Sequence, residues 1–200
     1  MDVILSTGAA DLQECDVLVT GFFQDERPLK GSSGWIDWRF NGMLSHFLIE
    51  KKLTGDWKET TLIPSGGRVT PQRILLVGLG KVRDYSYPRL RELSSHLFET
   101  VKNLNTTSIC VSLPYEERYN VDCGKSAEVL IEGLADYLDT SPSSLNEEYV
   151  KGLMVFFSVE EEKLPEMLLG VQTAQSILKE RLKIRVFAPS ERKRGIRSSR

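Results

Sequence analysis

The stretch Arg73-Ile74-Leu75-Leu76-Val77-Gly78-Leu79-Gly80-Lys81 constrains the fold of this chain more than any other. A continuous apolar run of strand length stops at Gly-x-Gly-Lys, and a helical pattern resumes a few residues later. Strands buried on both faces read this way, because helices cover each side of a parallel sheet and leave no polar alternation. The glycines then mark the exit at the carboxyl edge of the sheet, the edge where open α/β sheets usually bind ligands.

The rest of the chain fits that frame. Asp2–Ser6 and Asp16–Phe23 read as strands, the second built on Val17-Leu18-Val19-Thr20 and closed by Gly21. A polar loop runs through Gln24–Pro28 and Gly31-Ser32-Ser33-Gly34. A single helix is predicted from Trp35 to Lys51 or Lys52, with Ile36, Phe40, Met43, Leu44, Phe47 and Leu48 near i, i+3, i+4 spacing. Thr60–Pro64 is a short strand paired antiparallel to Arg73–Val77 through a hairpin-length gap. Pro88 opens a helix striped by Leu90, Leu93, Leu97, Val101 and Leu104, and proline suits a first turn whose N–H has no partner anyway. Further strands are expected at Ser108–Leu113, Leu153–Val159 and Ile184–Phe187. Helices are expected at about Ser126–Tyr137 and Leu164–Leu182, with Asp139–Ser144 as the clearest loop. Strands alternating with helices predict an α/β fold, a mixed sheet in three layers flanked by helices and joined by right-handed crossovers.

Composition excludes several classes. Hydrophobic residues make up 40% and charged residues 27%, so a core is available. Runs such as Leu153–Phe157 are too short to span a bilayer, and Met1–Leu5 has no basic leader pattern, so no membrane role and a cytoplasmic location are expected. Cys15, Cys110 and Cys123 show no C-x-x-C spacing and read as reduced thiols. The last eleven residues carry Arg192, Lys193, Arg194, Arg197 and Arg200 against Glu191, a net of +4 that leaves −6 for the other 189. Residues 1–189 are therefore expected to form one acidic domain and 190–200 a basic, disordered tail. An acidic body argues against nucleic acid as a partner except through that tail.

The flanks of the central run carry a family resemblance. Leu53-Thr54-Gly55-Asp56-Trp57-Lys58-Glu59 forms a glycine-containing turn, Leu75–Lys81 is the strand and its exit, and Ile131-Glu132-Gly133-Leu134-Ala135-Asp136-Tyr137 is a helical stretch carrying a glutamate-glycine pair and a tyrosine. In order and spacing these resemble the N-terminal domain of the leucyl aminopeptidase family. The resemblance implies a macro-domain-like fold, of the kind that binds ADP-ribose and related nucleotides, and association into hexamers. In that family the two-metal catalytic centre lies in a following domain, whose metal-binding segment has no counterpart here. A stand-alone domain with a binding role is expected, with no catalytic residue, metal or cofactor.

The remaining chemistry in the sequence is sparse. Glu116-Glu117, Glu147-Glu148 and Glu160-Glu161-Glu162 suit solvated faces or helix starts, where adjacent side chains do not converge on a metal. His46 and His96 lie apart and outside any H-E-x-x-H pattern. Gly78-Leu79-Gly80-Lys81 lacks the earlier glycine and the following hydroxyl of a phosphate-binding P-loop. It could still let backbone N–H groups approach an anion, so Gly78, Gly80, Lys81 and Arg83 are the candidate ligand residues, with a tight strand exit as the structural alternative. Trp35 and Trp38, three apart, are the candidate partner surface. The expected function is thus binding: of itself, of an aminopeptidase chain, or of a small anionic ligand, with a nucleotide module as the alternative.

Overall fold

Val17–Phe22 (β2) is buried at every position, and Arg73–Gly78 (β4) at every position but its first. The two pair in parallel from Val17↔Arg73 to Phe22↔Gly78. They lie inside a seven-stranded sheet of order β3-β4-β2-β5-β6-β1-β7, completed by Asp2–Ser6 (β1), Thr60–Pro64 (β3), Ser108–Ser112 (β5), Met154–Ser158 (β6) and Arg185–Phe187 (β7). The antiparallel pair is β3 with β4; the other ladders are parallel. This computed structural model describes residues 1–140 and 143–189. The basic tail expected at 190–200 lies outside them.

Alternation along the strands sends side chains to two cores. Val17, Val19, Leu75, Val77, Ile109 and Val111 join one face, covered by Tyr87–Asn103 (α3), Cys123–Thr140 (α4) and Leu164–Leu178 (α6). Leu18, Phe22, Ile74, Leu76 and Cys110 join the other, covered by Gly31–Arg39 (α1) and Met43–Ile49 (α2). Three layers result, as predicted. The helical layer is tight where α4 meets α6: a β-carbon on Gly170 would lie 1.9 Å from the Gly124 carbonyl oxygen. Between α3 and α4, Arg91 reaches Glu132 at 2.6 Å and Asp136 at 2.5 Å, and Arg181 joins Asp136 at 3.2 Å.

The structure differs from the sequence expectation in four places. The helix predicted over 35–52 is two helices, and it starts earlier: Gly31–Ser33, read as loop, form the first turn of α1. Asn41 (φ 56°) and Gly42 (φ 78°) break it with left-handed backbone. Asp37 stabilises the new start, accepting from the Ser45 N–H at 3.0 Å and the Ser45 hydroxyl at 2.5 Å. Ser144–Gly152 (α5) was not predicted at all. Its signals are Ser143, which accepts from the Leu145 N–H at 3.3 Å, and buried Val150; Tyr149 ties it to the Thr106 carbonyl at 2.6 Å. The helix expected at 126–137 runs from Cys123 to Thr140, and the last helix ends at Leu178 rather than Leu182.

Candidate functional site

The glycine exit is filled by the protein itself. The segment Leu53–Glu59 lies across the end of β4, so a β-carbon on Gly78 would sit 2.0 Å from the Asp56 carbonyl oxygen. Close backbone approach therefore requires glycine there. Three N–H groups of the turn have acceptors: Gly78 donates to Glu59 O at 2.7 Å, Leu79 to Phe22 O at 2.9 Å and Gly80 to Gly55 O at 2.9 Å. Val82 donates to the Asp25 carboxylate at 2.9 Å. These four bonds leave the glycine N–H groups themselves unavailable to an anion. Lys81 is exposed, and Arg83 is exposed with Asp84 at 3.7 Å.

The Leu53–Glu59 strap is held by one carboxylate. Glu59 accepts from the N–H groups of Thr54 (3.0 Å) and Gly55 (2.6 Å) and from the Thr54 hydroxyl (2.8 Å). Arg89 stacks on the Trp57 ring at 4.8 Å, and Lys58 pairs with Glu92 at 2.7 Å.

An open cleft lies further along the same sheet edge, over the carboxyl ends of β1, β5 and β6. Its first lobe, about 480 Å³, is lined by Gly8–Leu12, Trp35, Arg39 and Ser158. The second, about 910 Å³, runs past Tyr87, Pro114–Glu117, Asp122 and Lys163. Gly31, Ser32, Ser112, Tyr115 and Glu160 border both. The start of α1 faces this junction and no side chain caps it, so its first-turn N–H dipoles point where a ligand could sit.

Hydrogen bonds fix that start against the sheet. The Ser32 hydroxyl donates to the Ser112 carbonyl at 2.9 Å and shares a 2.6 Å bond with Thr20, which is fully buried. On the rim Arg39 pairs with Asp11 at 3.0 Å. In the second lobe Tyr87 donates to Asp122 at 2.6 Å, and Tyr115 donates to Glu160. Burial first, then the Glu160 carboxylate, raises the Tyr115 phenol well above its ordinary range. Burial likewise raises Tyr87, with Asp122 adding to it. Both phenols thus stay protonated donors at neutral pH. Glu116, Glu117, Asp122, Glu160 and Glu162 make the second lobe acidic.

Trp35 and Trp38 are brought together as the spacing predicts. Their rings meet edge to face at 6.3 Å, and they are 65% and 66% exposed. Arg39 lies over the Trp38 ring at 5.3 Å. Leu12, 61% exposed, shares the first lobe with Trp35, so the apolar ridge adjoins the cleft. The structure does not bring Lys81 and Arg83 into the cleft lining. The start of α1, Gly31-Ser32-Ser33-Gly34, reads as a loop in the sequence because two glycines and two serines carry no apolar period.

Among the described residues no group of three His, Cys, Asp or Glu side chains is placed to hold a metal ion. His46 pairs with Glu50 at 3.0 Å on the surface, and His96 is half-buried in α3. No helix among the described residues is long and apolar enough to cross a membrane.

Comparison with known proteins decides the relationship. Residues 19–140 match the model of the cytosol aminopeptidase family, N-terminal domain. The chain belongs to the cytosol aminopeptidase family. A probable cytosol aminopeptidase of Sulfurihydrogenibium sp. is 25% identical over 166 residues, covering 82% of this chain and 32% of that protein. The chain spans about a third or less of the length of such relatives; for a Cyanothece sp. protein of the same description the share is 27%. Among solved structures, a tomato leucine aminopeptidase variant aligns with TM-score 0.59 at 16% identity, over 89% of this chain and 37% of that one. The Oceanobacillus iheyensis macrodomain with ADP aligns with TM-score 0.60 at 12% identity, over 88% and 91%. The fold of this aminopeptidase-family domain is macrodomain-like.

Proposed function

We propose that this aminopeptidase-family domain works by binding, and that its ligand is a small anion of the nucleoside-diphosphate class seated at the start of α1. The observation that carries this reading is the uncapped first turn of α1, held by Ser32 against β5 and opening into a cleft at the carboxyl edge of the parallel strands. The likeness to a macrodomain solved with ADP supports it. The five carboxylates of the second lobe disfavour a diphosphate more than Asp11 and Glu160 do in the first, where Asp11 is paired with Arg39. Titration of the isotope-labelled protein with ADP tests the proposal: amide resonances of Gly31–Ser33 and Ser112 are expected to shift. No shift at millimolar ADP removes the reading. Shifts confined to Lys81 and Arg83 move the seat to the strand exit.

A second reading rests on the tryptophan ridge. Two rings two-thirds exposed, with Leu12 alongside, form the kind of surface that anchors protein partners, either a second copy or an aminopeptidase chain. Light scattering is expected to show a species larger than the monomer, which Trp35→Glu or Trp38→Glu returns to monomer. A monomer at all concentrations, with no complex on adding a full-length aminopeptidase, ends that reading.

A further inference from the structure

Cys15 and Cys110 come from opposite halves of the chain, yet the fold places them together. Asp16, next to Cys15, donates its N–H to the Ser108 carbonyl at 3.0 Å and so starts the pairing of β2 with β5. Two residues further along β5, Cys110 stands beside Leu18 in that ladder. Its side chain joins the core under α1 and α2, and Cys15 packs against the same core from the edge. The Cys15 thiol bends inward, donating to the Val17 carbonyl at 3.5 Å. Cys110 is fully buried and Cys15 half-buried, so one sulfur can meet a solute while the other is shielded. Cys123, the third thiol, lies on α4 in the opposite core, near the Lys163 carbonyl.

We infer that Cys15 and Cys110 form a reversible oxidation site, in which Cys15 reacts with a hydroperoxide and Cys110 closes a disulfide onto it. The thiol chemistry supports the division of labour. A hydrogen bond from Cys110 holds the Cys15 thiol below its ordinary range, against burial and the Asp16 charge. The same interaction, with burial, pushes Cys110 well above its range, so Cys110 stays protonated until Cys15 has reacted. In the first step the Cys15 thiolate attacks one peroxide oxygen; the O–O bond breaks, a sulfenic acid forms and hydroxide leaves. Once Cys15 is a neutral sulfenic acid, its charge no longer opposes ionisation of Cys110. The Cys110 sulfur then attacks the Cys15 sulfur, the S–O bond breaks, and hydroxide departs with the Cys110 proton as water. Two thiols are oxidised and one hydroperoxide is reduced.

Intact-mass analysis of the full chain after stoichiometric hydrogen peroxide is expected to show the loss of two hydrogens, restored by dithiothreitol. Non-reducing peptide mapping should join the peptides carrying Cys15 and Cys110 and leave Cys123 alkylatable. In Cys110→Val the Cys15 sulfenic acid, lacking its partner, should be trapped by dimedone; the wild-type map stands even if that variant folds poorly. A bridge that includes Cys123, over-oxidation of Cys15 without any bridged peptide, or unchanged mass overturns the inference.

Discussion

The carbonyl oxygen of Asp56 lies so close to the Gly78 α-carbon that a β-carbon there would sit 2.0 Å from it. Two residues 22 positions apart thus share one van der Waals boundary, and the glycine at the end of β4 is explained by packing without any ligand. Gly78→Ala forces backbone against backbone and is expected to cost about 2–4 kcal/mol, an overpacking penalty at a site that cannot relax. Lys81→Ala, on an exposed side chain, should stay within about 0.5 kcal/mol of wild type. Urea denaturation of the two variants separates these outcomes.

Glu59 holds the strap whose backbone makes that contact. Its carboxylate accepts from two N–H groups and a hydroxyl, all of which lose their partner in Glu59→Ala. A loss of about 1–3 kcal/mol is expected from charged hydrogen bonds of this kind. Amide hydrogen exchange at Thr54 and Gly55 should accelerate more than exchange in β2.

Asp136 makes stability depend on acid. The Arg91 hydrogen bond, reinforced by Arg181, holds the Asp136 carboxyl below its usual value in the folded state. A carboxylate depressed on folding stabilises fully above its unfolded pKa of about 3.9 and loses that contribution as pH falls through the folded value. Unfolding free energy should therefore decline below about pH 4–5, and Asp136→Asn should flatten that decline. The neutral-pH cost of Asp136→Asn is expected to be about 1 kcal/mol, because Arg91 and Asp136 are 42% and 37% exposed and water screens the pair.

Trp35 and Trp38 should dominate the quenchable fluorescence. Trp57 is half-buried and covered by Arg89. Iodide quenching is expected to fall by most of its amplitude in the double Trp→Ala variant, with stability changed by less than about 1 kcal/mol, since neither ring belongs to a core. Strong loss of stability would show instead that the ridge supports the fold.

Asp16–Phe23, Arg73–Val77 and the stripe Leu90–Val101 declared their places in the sequence, since burial on two faces or one leaves a period that local reading detects. The three-layer α/β architecture and the family relationship followed from those runs and from the turns flanking them. Three things needed the tertiary structure. The break at Asn41–Gly42 sits inside a continuous apolar pattern and becomes visible only when Asp37 is seen bonded to Ser45. The role of Gly78 depends on a strap whose Asp56 contacts it from 22 positions away, which no local window can contain. The cleft and the Cys15–Cys110 pair arise where parallel crossovers bring together the ends of strands remote in sequence. Periodicity records which side of an element is buried; what it is buried against is decided by chain topology.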